Sequence, residues 1–156
     1  MDLYCTPSVD IGLLGSAFIT GCFIGSFILP RCADIFGRRP IFMVGLLIQI
    51  LVVTASLFCK TLDLAYFLLF MGGVGETGRY YVAYVYAVEM MPAKDQNDAG
   101  LYIFLFFGLA MSYIALQFWF LTKEWKVNAF ISLLLASISL ISTRAWLPES
   151  PRFLYG

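Results

Sequence analysis

Histidine is absent from the 156 residues, and charge of either sign is scarce, with 10 Lys and Arg against 10 Asp and Glu. Without histidine, the usual catalytic base and the commonest metal ligand are gone. The charged fraction is 13%. A water-facing domain carries roughly 25%, so these side chains cannot cover a wetted surface. Zero net charge leaves no basic footprint for nucleic acid. The four cysteines (Cys5, Cys22, Cys32, Cys59) show no C-x-x-C spacing. A Cys5–Cys59 disulfide at the outer surface is compatible with the topology below, but four ordinary apolar cysteines is the simpler reading. The first ten residues hold Asp2 and Asp10 and no Lys or Arg, so the positive n-region of a signal peptide is missing. No P-loop, HExxH or paired-carboxylate constellation occurs. The sequence therefore points to no catalytic residue, no metal site and no cofactor.

What the chain does have is apolar length: 61% of its residues are hydrophobic. A membrane-spanning helix needs about 20 predominantly apolar residues. Five stretches qualify: 11–30, 41–59, 64–88, 99–121 and 127–147. Barrel-type alternation is not seen, so the expected fold is all-α, a polytopic membrane bundle of five spans. The connectors 31–40, 60–63, 89–98 and 122–126 are short and polar. One side of the membrane then holds Arg31, Arg38, Arg39, Lys94 and Arg152, and the other holds Lys60, Lys123 and Lys126. This bias puts the first side in the cytoplasm, with the N-terminus outside and the C-terminus inside. An odd span count that begins outside predicts a preceding helix. Gly21-x-x-x-Gly25 in the first span is a small-residue pair that lets helices approach, read here as packing within one chain.

Residues 31–40, "RCADIFGRRP", read as a cytoplasmic turn. Asp34 is positioned to cap the following helix. Gly37 permits a bend that a Cβ would obstruct. Arg38 and Arg39 suit phosphates or carboxylates. In the third span, Glu76 and Arg79 would cost roughly 5–7 kcal/mol together if both faced lipid unpaired. Three residues apart, they can pair with each other. Glu76, Tyr80 and Tyr84 recur every four residues and share a face, which suits a cationic or polar organic solute or an exchangeable proton. A buried structural pair explains Glu76 and Arg79 nearly as well. Gly72, Gly73, Gly75 and Gly78 fit either a loosened helix beside a midplane site or close packing. Gln117 is a further pathway candidate, and Trp119 and Trp125 fit an outer aromatic belt.

Three of these patterns carry a resemblance. Asp34, Gly37, Arg38 and Arg39 match the G-x-L-a-D-R-x-G-R-R loop between the second and third helices of major facilitator superfamily transporters, with Pro30 for the first Gly and Ile35 for the Arg. Gly73, Gly75, Tyr86, Glu89 and Pro92 match the fourth-helix pattern of its sugar-porter and organic-ion members. Leu69 replaces an Arg there, and Gln96–Asn97 replaces the usual Arg-Gly. Pro148-Glu149-Ser150-Pro151-Arg152 resembles the P-E-S-P-R motif after the sixth helix.

The resemblance implies helices 2–6 of the N-terminal half of a secondary carrier. It implies alternating access for a small organic solute (a sugar or an organic cation or anion), with or without a coupling proton or ion. It makes Arg38, Arg39, Glu89, Glu149 and Arg152 candidates for a cytoplasmic ion-pair gate. The expected surroundings are a lipid bilayer, most naturally the plasma membrane, and the rest of the carrier. The alternative is a truncated, non-transporting protein that binds or regulates a carrier.

Overall fold

The computed structural model describes residues 8–59, 61–92, 94–121 and 125–148. All regular structure among them is helical: α1 (Ser8–Phe36), α2 (Arg38–Phe58), α3 (Leu62–Glu89), α4 (Gln96–Leu116) and α5 (Trp125–Trp146). A π-helical turn, Gln117–Leu121, continues α4. The all-α expectation holds.

Every helix starts two or three residues before the expected boundary, and α1 runs six residues past its expected end. α1 passes straight through Pro30 and ends two turns later. Proline lacks an N–H and normally kinks a helix, but membrane helices tolerate it where neighbours compensate. The expected ten-residue turn shrinks to Gly37 alone, whose φ of 101° lies where L side chains are strained. Asp34 does not cap α2: Gly37 holds the N-cap position with no side-chain cap bond, and the Asp34 carboxylate pairs with Arg38 instead.

Among the described residues, four helices are long and apolar enough to cross a bilayer: Val9–Phe36, Arg38–Phe58, Gln96–Phe120 and Trp125–Trp146. The expected fifth, α3, is not among them. Its 28 residues reach about 42 Å, ample for a hydrocarbon core of about 30 Å. It falls short in apolarity because it is the inner helix, with α1 packed along one flank and α2 along another. Its sequence is fitted to helices more than to lipid. α5 lies against α2, and α4 touches the rest mainly through α3.

Glycines set the α1–α3 distance. A Cβ on Gly73 would collide with the Phe18 carbonyl, and one on Gly21 with the Phe70 carbonyl. Thr77, buried between them, donates to the Cys22 carbonyl at 3.2 Å and to its own helix at Gly73 O, 3.1 Å. Gly25 faces Thr77 in the same seam, so the Gly21–Gly25 pair serves packing within the chain. Because α3 is continuous, its glycines mark close contact, with no broken helix. The outer faces carry large exposed apolar side chains such as Phe23, Phe27, Leu51, Phe106 and Ile141. On a water-soluble protein a surface of this extent would aggregate; in a bilayer it is the lipid-facing exterior. Trp119, in the π turn that ends α4, and Trp125, which opens α5, are exposed.

Candidate functional site

Two constellations stand out. The first joins the C-terminal ends of α1 and α3 to the N-terminal end of α2. Arg38, which opens α2, grips Glu89 at the end of α3 through two bonds: Nη2 to Oε1 at 3.0 Å and Nε to Oε2 at 3.3 Å. Its Nη1 pairs with Asp34 at the end of α1. The Arg38 side chain is 17% exposed and that of Glu89 is 7% exposed, whereas Asp34 is open at 62%. A two-pronged guanidinium–carboxylate pair in so dry a setting is directional and strong. Beside it, Arg39 Nη2 donates to the Arg144 carbonyl at 2.8 Å, meeting the negative end of α5. The Tyr86 hydroxyl donates to the Pro148 carbonyl, which ties the stretch after α5 back to α3. The Pro92 carbonyl accepts from Asp95 N at 2.9 Å in the turn that leads into α4. Glu149 and Arg152 lie outside the described residues.

The second constellation is a half-open cavity of about 630 Å³ lined by α2, α3, α4 and α5. Arg79, Tyr80 and Tyr84 line it from α3, Gln49 from α2, and Ser132 and Ser139 from α5. Alanines and apolar side chains complete the wall, with Ala87 at the end nearest Glu89. The volume suits a small organic molecule. Tyr80 is held by an aromatic contact with Phe107 of α4, ring centroids 5.8 Å apart. Gln49 Nε2 donates to Ser132 Oγ across the α2–α5 seam at 3.3 Å.

The expected shared face of Glu76, Tyr80 and Tyr84 is only partly kept. The tyrosines reach the cavity with Arg79, but Glu76 is not among the lining residues. Glu76 instead pairs with Arg79 within α3. Arg79 Nε is buried without a hydrogen-bond partner. Gln117 stands apart from the cavity. It is 3% exposed at the start of the π turn, and its Oε1 has no partner. Gln49 was missed. Its signal was available, since it is the one amide in the apolar stretch 41–59.

A bundle of long apolar helices, with a half-open cavity between them and an ion cluster at one end, defines an integral membrane protein. The match is specific: the chain belongs to the sugar (and other) transporter family, whose pattern covers residues 3–156. It is 30% identical over 152 residues to organic cation transporter 1 of Caenorhabditis elegans, covering 97% of this chain and 26% of that protein. With human organic cation/carnitine transporter 2 it shares 26% identity over 157 residues, 98% of this chain and 27% of the relative. Rat synaptic vesicle glycoprotein 2B is 24% identical over 165 residues, 96% of this chain and 24% of that protein. The chain thus spans about a quarter of the length of the curated relatives it matches.

Proposed function

We propose that this chain forms part of the N-terminal half of a secondary carrier that moves a small organic solute by alternating access. One observation carries the reading: a cavity walled by Arg79, Tyr80, Tyr84 and Gln49 whose inner end, at Ala87, lies two residues from the Arg38–Glu89 clamp. A cavity that combines polar and apolar walls, close to an ion pair that can break and re-form, fits alternating access. The clamp, joined by Asp34 and Arg39, favours the state closed to the cytoplasm. Glu149 and Arg152 extend it if their motif acts as it does in the family. No bond in the solute is made or broken, so the protein is not an enzyme.

The names of the relatives support an organic ion as cargo; the family's name leaves a sugar open. α3 crosses the membrane alongside α1 and α2, and the basic ends of α1 and α2 face the cytoplasm. The plasma membrane is the natural location. The broad exposed flank of α4, from Leu101 to Leu116, supports packing against further membrane helices, in the same carrier or in a partner.

The test is uptake into vesicles that carry the intact protein, for the wild type and for Glu76→Gln. Loss of the Glu76 carboxylate frees Arg79 inside the bundle. At least a tenfold change in apparent affinity, or a changed pH dependence if a proton is coupled, is expected. Uptake with unaltered affinity and pH profile would remove Glu76 from the pathway, and absence of saturable uptake for any sugar or organic ion would end the carrier reading.

A further inference from the structure

We infer that a further cavity, at the end of the bundle opposite the Arg38–Glu89 clamp, is a binding site for a membrane sterol. About 500 Å³ of half-open space lies there between the last turns of α2, the first turns of α3, Leu14 of α1 and Trp125 of α5. It shares no lining residue with the cavity that holds Arg79. Its floor is aliphatic, with Val52 and Val53 on α2 and Leu68 and Leu69 on α3. A recess of this kind does not hold water, because water needs polar partners that such walls lack. The bilayer around the bundle supplies the alternative, an apolar molecule, and the volume is that of a small-ligand site. The inference rests on the membrane bundle alone and stands or falls apart from the carrier reading.

Polarity runs one way through the cavity. Val52 lies six residues before the end of α2 at Phe58, and Leu68 six residues after the start of α3 at Leu62. The aliphatic floor therefore sits about 9 Å inside the helix ends. Ser56 and Cys59 stand nearer those ends, with Trp125, which opens α5. Ser56 gives its hydrogen to the Val53 carbonyl at 2.7 Å, so its oxygen is left as an acceptor. The Cys59 thiol gives its hydrogen to the Thr61 carbonyl at 3.3 Å. The Trp125 indole brings one N–H donor. An acceptor and a donor at the rim match a single hydroxyl group, which both gives and takes a hydrogen bond. No charged side chain lines the cavity among the described residues, so a phosphate or carboxylate head finds no partner there. An acyl chain would fill the floor and leave the rim groups unmatched. A rigid apolar body with one hydroxyl at its end meets both, and among bilayer components that is a sterol.

Cys59 serves as the reporter. The intact protein carrying Cys5→Ser, Cys22→Ser and Cys32→Ser is placed in phosphatidylcholine nanodiscs without sterol, with cholesterol, or with its 3α-hydroxy epimer. The rate of Cys59 modification by N-ethylmaleimide is followed by mass spectrometry of the peptide that contains it. Cholesterol should slow the reaction at least about threefold, as occupancy of about two-thirds of the sites implies. The epimer, whose hydroxyl leaves the ring on the other face, should slow it clearly less. Ser56→Ala should erase the difference between the epimers. Leu69 is 36% exposed, so Leu69→Trp has room to turn its ring into the cavity and should leave Cys59 indifferent to sterol. Equal slowing by both epimers in the protein with Ser56 intact would assign the effect to the bilayer instead of a site. No slowing would leave the cavity to an acyl chain or to another part of the protein. Either result overturns the inference, as does sterol protection that survives Leu69→Trp.

Discussion

Arg38 is held by two carboxylates from two other helices, and the consequences of losing it differ for each. Asp34 is exposed and returns to water at little cost. Glu89 is 7% exposed and loses its two-pronged partner in a dry setting. Breaking such a pair from one side costs about 3–5 kcal/mol, more than the pair itself contributes. Arg38→Ala should therefore lower thermal stability in detergent clearly, and Arg38→Ala/Glu89→Ala should recover much of the loss. A double variant no more stable than Arg38→Ala alone would show that the clamp is not the unit that matters. These residues were legible in the sequence because charge stands out in an apolar chain, and motif spacing brought Arg38 and Glu89 into one argument. Gln49 was not legible as a partner of Ser132, because 83 residues separate them and only the α2–α5 seam brings them together. Asp34 was misread for a related reason. Its local options included a cap, and the choice went to a guanidinium one turn ahead.

At the scale of the helix, the glycines of α3 decide how closely its neighbours lie. A side chain at Gly73 meets the Phe18 carbonyl, which belongs to backbone and cannot rotate aside. Gly73→Leu should cost about 1–3 kcal/mol or more through overpacking, seen as a lower unfolding temperature. Gly108, on the open side of α4, has nothing within 4 Å of an added Cβ. Gly108→Ala should be neutral or stabilising by up to about 1 kcal/mol. Equal effects at the two positions would contradict the packing described here. Apolar runs located every helix, but each start was read two or three residues late and the end of α1 six residues early. Pro30 and the charges of 31–40 look like a loop to any rule based on water-soluble proteins, and the membrane setting lets α1 run through them. The lesser apolarity of α3 has the same origin: a helix that faces helices need not read as lipid-facing.

For the whole molecule, the orientation rests on the basic ends of α1 and α2 and can be tested with the protein's own thiols. Cys32 lies near the C-terminal end of α1, and Cys59 follows the C-terminal end of α2, so the proposed orientation puts Cys32 inside and Cys59 outside. Both are partly accessible and free among the described residues; Cys5, and with it the Cys5–Cys59 pairing, lies outside them. In a Cys5→Ser/Cys22→Ser background, a membrane-impermeant maleimide applied to intact cells should label Cys59, and Cys32 only after permeabilisation. The reverse pattern would invert the topology.

The central place of α3 also bears on how the chain is made. Helices leave the ribosome in order, and α1 and α2 enter the membrane before the helix they both embrace exists. α3 packs far more extensively with each of them than they do with one another. The early pair is therefore a waiting receptor, and the least lipid-soluble segment is recruited by helices already in place. A chain released after residue 59 should insert α1 and α2 without packing them tightly together, and α3 fused alone to a reporter should insert poorly. Supplying the first two helices ahead of it should restore insertion, so that biogenesis is cooperative even though each of its neighbours could enter the bilayer unaided.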